Sequence, residues 1–293
     1  LAAALNSDFF SYACWGLGTL PLTMAFVTLS LAALATSAVS PVWLRAVLAG
    51  IPLGIAIMEG FDSGAIMSLY VAAFVLFLSM SGSEKGSTST RFGRGLVRLG
   101  VVALAAGITA TQALSVLVST QLKGIAGMQQ DVQTRLQRWN EATQWSLPKA
   151  ESLRAIIPGL YGYRMDSPGG SGYWGGVGRD AAWDAYFEAP NPDPGKRPEG
   201  RLLRHSGAGF YAGVLVVLLG LWAVYHLKFG QAGLYTVAER RSVAFWAIVA
   251  VVSLLLAFGR HAPFYQIVYA LPYFSTIRNP VKFLHPFSLA LVI

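Results

Sequence analysis

The sequence predicts an all-α fold: a polytopic bundle of transmembrane helices, about seven spans, with one long and partly helical extracytoplasmic loop. Three observations lead there. Apolar residues make up 54% of the 293 residues and charged residues 12%, against about 25% charged in an ordinary soluble domain. Several stretches approach the ~20 apolar residues that a helix needs to cross a bilayer. Each of them is apolar around its whole circumference, as a helix among lipids and other helices is.

In chain order the spans fall at about Gly16–Thr36, Val42–Met58, Ser63–Met80, Gly95–Leu117, Gly209–Leu227, Val243–Phe258 and from Phe283 onward. The second, third and sixth are short, which keeps their polar flanks close to the headgroups. Residues 1–117 thus hold four spans with an outer hairpin at 59–62. Residues 118–208 form the extracytoplasmic region. Residues 209–293 hold a second helix group with a basic, aromatic outer segment at 259–282. The chain opens at Leu1 and stops at Ile293 within an apolar run, which reads as a piece of a longer protein.

Lysine and arginine in short loops set the orientation. Arg45, then Lys85, Arg91, Arg94 and Arg98, then Lys228, Arg240 and Arg241 mark three regions that alternate correctly, opposed only by Glu84 and Glu239. These face the cytoplasm, and the bacterial cytoplasmic membrane is the expected location. Topology then accounts for much of the net charge of +8, and no nucleic-acid partner is implied. Cys14 is the only cysteine; beside Trp15 it reads as a buried residue, and it excludes a disulfide framework or a thiolate metal cluster.

The outer region is patterned. Ile125, Met128, Val132, Leu136, Trp139 and Trp145 form one apolar stripe opposite Gln, Asp, Arg and Glu, as in a helix lying in the membrane interface or packed on the rest of the loop. Ser146 with Pro148 suggests a helix start and Pro158-Gly159 a stop. Tyr161, Tyr163, Tyr173 and Trp174 then stand among glycines, suited to stacking on a sugar ring or to sitting at headgroup level as an aromatic belt.

Further on, Asp180, Asp184 and Glu188 share one helix face at i, i+4 and i+8. They could hold a divalent cation or supply a base, although a solvated face opposite Trp183 and Phe187 is the plainer reading. Glu59 and Asp62 are further acids, in the tight outer hairpin, and Asp8 is another in the opening segment. Ser146-Leu-Pro-Lys149 lacks the companion motifs of a Ser-x-x-Lys nucleophile. His205, His226, His261 and His285 lack metal-ligand spacing.

The segment 259–282 runs against the loop bias, because by this topology it lies outside and is basic. Arg260, His261, Arg278 and Lys282 gather there. Asn279 and Pro280 read as a cap and first residue of a helix, whose free N–H groups would make an anion site. Arginine suits phosphate through its planar fork and lysine as a point charge. The intervening PFYQIVYALPYF is too short to cross and too apolar for open water, and reads as a shallow re-entrant or interfacial helix. Together these features suggest an outward-facing pocket for a lipid-linked phosphate; contact of the same cations with anionic headgroups is the simpler alternative.

The stretch LLLAFGRHAPFYQIVYALPYFSTIRNPVKFL resembles the signature of YfhO-type bacterial membrane proteins, and WSLPKAESLRAIIPGLYGY with the later YWGG resembles that family's other recurrent outer stretch. The resemblance implies a GT-C-type glycosyltransferase. Such an enzyme moves a sugar from a polyprenyl-phosphate carrier to an envelope polymer or lipid acceptor on the outer face of the membrane. It implies Arg260, Arg278 and Lys282, with His261 beside them, as holders of the donor phosphate. Tyr161, Tyr173, Trp174 and Gly175 would shape the sugar pocket. The family's base is expected in a first outer loop upstream of Leu1. Gly60-Phe61-Asp62-Ser63 departs from the expected Gly-His-Pro-Gln, which leaves Asp62, with Glu59, as a stand-in for the acid. No cofactor is implied beyond the possible divalent cation. The rival classes are a transporter or flippase-like protein for a lipid-linked anion, which should show inverted repeats and charged or broken spans, and a non-catalytic scaffold. A cysteine introduced near Tyr173 should be labelled from outside intact cells; labelling only after permeabilisation would reverse the topology.

Overall fold

The computed structural model describes residues 18–36, 41–82, 86–117, 119, 132–162, 173–179, 183, 185–186, 189–191, 193–198, 211–230, 233–271 and 277–293. Regular structure among them is helical throughout. Among the described residues, four helices are long and apolar enough to cross a membrane: α2 (Val42–Glu59), α3 (Phe61–Ser81), α4 (Thr88–Thr109) and α8 (Val237–Ala257). Shorter apolar helices are α1 (Thr19–Ala35), α7 (Val214–Phe229) and the run Pro280–Val292. The protein is therefore a polytopic membrane protein, with several spanning helices rather than a fixed count of seven. The chain divides into two compact units. One comprises Tyr12–Met128 with Leu221–Val249; the other comprises Leu1–Ser11, Gln129–Gly220 and Ala250–Ile293.

In the first unit, α1 buries Leu20, Met24, Val27 and Leu31, a stripe at helical spacing that seats it on its neighbours. Thr23 folds its hydroxyl back to the Thr19 carbonyl at 2.8 Å, which satisfies that hydroxyl within the apolar contact. Helix α2 runs unbroken through Pro52. One turn of α2 carries Gly50 and Gly54, and α4 lies directly against both. A Cβ on Gly50 would come within 2.6 Å of the Ala105 methyl, and one on Gly54 within 2.6 Å of the Ala106 carbonyl oxygen and the Thr109 Cβ. Small residues four apart allow helix backbones to approach this closely in a membrane, where packing replaces the hydrophobic effect as the driving force. Helix α3 meets α8 through rings: Phe77 stacks on Phe245 at 4.5 Å, and Phe74 lies 5.5 Å from Trp246.

Two spans begin earlier than their apolar runs. Ser87 caps α4 by accepting the Thr90 N–H at 3.2 Å, which draws Thr88–Arg94 into the helix ahead of the expected start at Gly95. The fourth span also ends early: α4 stops at Thr109 and a short α5 (Thr111–Leu117) follows. Helix α8 starts at Val237 rather than Val243 because Thr236 and Glu239 form a reciprocal capping box. The Glu239 carboxylate accepts the Thr236 N–H at 2.8 Å, and the Thr236 hydroxyl accepts the Glu239 N–H at 3.2 Å. As a result Arg91, Arg94, Arg240 and Arg241 lie in the first two turns of helices and Arg98 lies midway along α4, not in the loops between them.

In the second unit, α6 (Val132–Thr143) supplies a helix where the amphipathic stripe was expected, with Leu136 exposed and Trp139 edge-on to Tyr269 at 4.9 Å; Ile125 and Met128 fall outside the described residues. A 3-10 helix follows at Lys149–Ala155. Ser146 does not cap it, since its hydroxyl donates back to the Thr143 carbonyl at 2.6 Å. Where a re-entrant or interfacial helix was expected, the short α9 (Phe264–Tyr269) forms: Tyr265 is buried and donates to the Ile277 carbonyl at 3.0 Å, while Phe264 and Ile267 are exposed. The last helix, α10 (Leu284–Val292), is buried along most of its length, including His285.

Replacing Gly54 with leucine should force α2 and α4 apart and cost at least the ~1–3 kcal/mol of an overpacked core. Thermal unfolding in detergent reads this directly, and an unchanged melting temperature would refute the close approach.

Candidate functional site

The site is built on the chain that leaves α6. Residues 144–148 have no helical ladder, so their backbone groups need partners elsewhere. Two distant segments provide them. Leu147 N–H donates to the Ala257 carbonyl at 2.9 Å. From the other segment, Asn279 N–H donates to the Ala142 carbonyl at 2.9 Å and Val281 N–H to the Trp145 carbonyl at 3.0 Å. Arg260 completes the clasp: Nε donates to the Thr143 carbonyl at 2.9 Å and Nη2 to the Asn140 carbonyl at 2.7 Å, and its backbone N–H donates to the Ser146 hydroxyl at 3.1 Å. Gly259 makes this geometry possible. Its φ is +50°, a left-handed value that glycine adopts at least cost, and any Cβ there would collide with Ser146 and Pro280.

Beside the clasp lies a buried ionic cluster. Glu151 and Arg154 are three residues apart on the 3-10 helix, where i and i+3 side chains eclipse, and each is 1% exposed. Glu151 Oε2 accepts from Arg154 Nη1 at 2.7 Å and from the Tyr173 hydroxyl at 2.8 Å, while Oε1 accepts the Gly176 N–H at 2.6 Å. The Tyr173 hydroxyl in turn accepts the Val177 N–H at 3.0 Å, and the Arg154 guanidinium stands 5.6 Å from the Tyr173 ring centre. Burial, reinforced by the Glu151 charge, pushes the Tyr173 hydroxyl well above the ordinary phenol range, so it stays protonated as a donor. A carboxylate held by three donors fixes the chain that carries them. The loop 173–177 is thereby tied to the 3-10 helix. Gly175 has no room for a side chain, because the Tyr173 ring occupies the place of a Cβ.

Between these two constructions opens a cavity of about 370 Å³, lined by Gln144, Pro148, Ala150, Glu151, Tyr161, Trp174, Gly175, Gly176, Arg179, Arg260 and His261. Tyr161 and Trp174 form its aromatic wall, with ring centres 4.6 Å apart and the Trp174 N–H on the Tyr161 carbonyl at 2.9 Å. Trp174 is 63% exposed, so one face of the indole is open. Partial burial lowers Arg260 from its ordinary value, though a guanidinium remains charged at neutral pH. His261 is also lowered, first by burial and then by the Arg260 charge. It is therefore neutral at pH 7, a hydrogen-bonding group rather than a second fixed cation.

Five of the residues singled out from the sequence, Tyr161, Trp174, Gly175, Arg260 and His261, thus line one cavity. Tyr173 is not among its lining residues; it is buried and orders the loop behind Trp174 and Gly175. Arg278 is exposed and Lys282 half-buried, and neither lines the cavity. Asn279 does not cap a helix. It takes a left-handed conformation with no side-chain capping bond, and Pro280–Phe283 forms a 3-10 turn. The N–H groups expected to be open to an anion are engaged instead, that of Val281 by Trp145 and that of Lys282 by the Asn279 carbonyl.

Glu59 is exposed and Asp62 half-buried at the α2–α3 turn of the first unit. Asp180, Asp184 and Glu188 lie outside the described residues, as does Asp8. Among the described residues no group of three His, Cys, Asp or Glu side chains could hold a metal ion. Sequence reasoning missed Glu151, Gln144 and Arg179. Arg179 had a signal, as a lone cation closing the glycine-rich YWGGVGR; Glu151 had only its place in the first turn after Ser-Leu-Pro. No protein-family model, curated protein or solved structure matches the chain.

Replacing Glu151 with alanine would remove the carboxylate that pairs with the buried Arg154, at an expected cost of about 3–5 kcal/mol. Tyr173→Phe should cost less, about 1–3 kcal/mol, for the unsatisfied Val177 N–H and the lost donor. Denaturation of the purified variants measures both, and parental stability in Glu151→Ala would show that the cluster does not hold the site together.

Proposed function

We propose that the protein is a membrane glycosyltransferase of GT-C type, using a polyprenyl-phosphate sugar as donor and working at the outer face of the membrane. The observation that supports this best is the cavity whose lining holds both an exposed indole, Trp174, and two arginines, Arg179 and Arg260. A sugar phosphate has an apolar ring face that stacks on an aromatic ring and an anionic end that pairs with a guanidinium fork. Trp174 and Tyr161 suit the first, and Arg260 and Arg179 the second. Two nitrogens of the Arg260 fork are committed to Asn140 and Thr143. Those bonds fix the guanidinium in place, so it need not be ordered when a ligand arrives.

In such a transfer the acceptor hydroxyl oxygen attacks the anomeric carbon, the bond from that carbon to the phosphate oxygen breaks, and the polyprenyl phosphate leaves with the electron pair. Cations beside the phosphate stabilise the charge that develops on it. A base takes the proton of the acceptor hydroxyl; Asp62 and Glu59 keep their standing as candidates from the sequence. Arg278 and Lys282 remain candidates for the carrier phosphate on the resemblance to YfhO-type proteins, standing on the segment whose backbone clasps Ala142 and Trp145.

The test uses the full-length protein in membranes supplied with a polyprenyl-phosphate sugar. Trp174→Ala, at an exposed position, should raise KM for the donor about tenfold, equivalent to ~1.4 kcal/mol. Arg278→Ala with Lys282→Ala should abolish transfer while insertion persists. Unchanged transfer in both would sink the reading, and donor moved across vesicles without loss of its sugar would favour a flippase.

A further inference from the structure

The transfer proposed above needs a group that takes the proton of the acceptor hydroxyl, and that group has to reach the cavity that holds the sugar and the phosphate. Among the described lining residues, Glu151 and His261 are the two able to accept such a proton at neutral pH. Glu151 is already spent. It is 1% exposed, and its two oxygens hold Arg154, the Tyr173 hydroxyl and the Gly176 N–H. His261 lines the same cavity and is exposed, so an acceptor can meet it. Glu59 and Asp62 are not among the lining residues.

The backbone under His261 is fixed. The residue closes a 3-10 turn, Gly259–His261; its N–H donates to the Phe258 carbonyl at 2.8 Å, and the next N–H, of Ala262, to the Gly259 carbonyl at 3.3 Å. The turn starts at Gly259, packed against Ser146 and Pro280. The imidazole thus stands on a frame that is in place before a ligand arrives, as a reacting group requires. Three residues complete a 3-10 turn, so the side chains of Arg260 and His261 leave the backbone about 120° apart. Arg260 turns towards Asn140 and Thr143, which leaves His261 to meet a ligand from another side. A single displacement at an anomeric carbon needs that separation, because the nucleophile attacks on the face opposite the leaving group.

Charge around the ring favours the same role. Burial first, then the Arg260 charge, lower His261 from its ordinary value; Glu151 opposes them and Lys149 adds to them. Arg179 and Tyr161 complete the titratable lining. The neutral imidazole is the form that accepts a proton. We infer that His261 is the general base of the transfer, an inference that rests on the glycosyltransferase reading. An unprotonated ring nitrogen takes the proton as the acceptor oxygen bonds to the anomeric carbon. The bond from that carbon to the phosphate oxygen breaks, and its electron pair leaves with the polyprenyl phosphate. The imidazolium then passes its proton to water as the product departs.

The test uses the full-length protein in membranes that supply the acceptor, with polyprenyl-phosphate glucose, mannose and galactose offered in turn. Wild-type kcat/KM should hold steady to below the ordinary histidine value and then fall as pH drops, because the charged imidazole no longer accepts a proton. His261→Gln should lower kcat about a hundredfold or more, leave the donor KM unchanged and lose that acid limb. Imidazole added to His261→Ala should restore part of the rate, which a merely structural role would not allow. A wild-type profile without the acid limb overturns the inference even if the variants fail to fold. Wild-type rate and pH profile in His261→Gln overturn it too, and if Trp174→Ala still raises the donor KM, the transfer reading stands without it. A raised donor KM in His261→Gln at unchanged kcat would make His261 a holder of the carrier phosphate instead of the base. An acid limb lost only in Asp62→Asn would give the proton to that carboxylate and overturn His261. Absence of transfer by the wild type from all of these donors would remove the inference and the reading together.

Discussion

Everything in the candidate site depends on how irregular backbone is satisfied between Asn140 and Pro148. A buried chain leaving a helix has few places to put its N–H and C=O groups, and each unpaired one is expensive. Here the solution is reciprocal. Residues 257–260 approach from one direction and residues 279–281 from another, and both spend main-chain bonds on the same short stretch. Arg260 belongs to this solution before it belongs to any binding event, since two of its side-chain bonds go to carbonyls. The cavity is what remains open beside a segment held in this way.

This division of labour separates residues that touch the cavity from residues that shape it. Trp174 is open to solvent and Tyr173, its neighbour, is closed off; the alternation follows from one ring facing the Glu151 carboxylate and the next facing away. Glu151 is the hinge of that arrangement. Its oxygens are occupied by Arg154, Tyr173 and Gly176, so it acts as the post to which a glycine-rich loop is tied. Glycine-rich loops lose much entropy on ordering, and a buried carboxylate with three donors supplies a fixed point against which that loss is made good.

Much of the helical plan was legible because hydropathy reports burial in lipid and needs no knowledge of partners. The misplaced boundaries at α4 and α8 arose where a capping residue extended a helix past its apolar run, Ser87 in one case and the Thr236–Glu239 pair in the other. In the site, Arg260, His261, Tyr161 and Trp174 stood out because charge and aromaticity are conspicuous among glycine and proline. Glu151 did not, because one of its defining partners is a backbone N–H 25 residues away, and backbone donors leave no mark in composition. Asn279-Pro280 shows the opposite case. The local signal was a good helix start, but capture of the Asn279 N–H by Ala142 holds the residue in a left-handed turn that local propensity would not choose.

Gly259, wedged between Ser146 and Pro280, has a consequence for the order of assembly during synthesis. Arg260 is 114 residues from the hydroxyl its backbone engages, and the bonds from Asn279 and Val281 reach back still further. At about 5–20 residues per second, several seconds separate the emergence of α6 from that of its partners. Through that interval Ala142, Trp145 and Leu147 must leave their main-chain groups to water or to a helper. The pocket is thus among the last features of the molecule to form, and only a chain that has emerged past Val281 can close it.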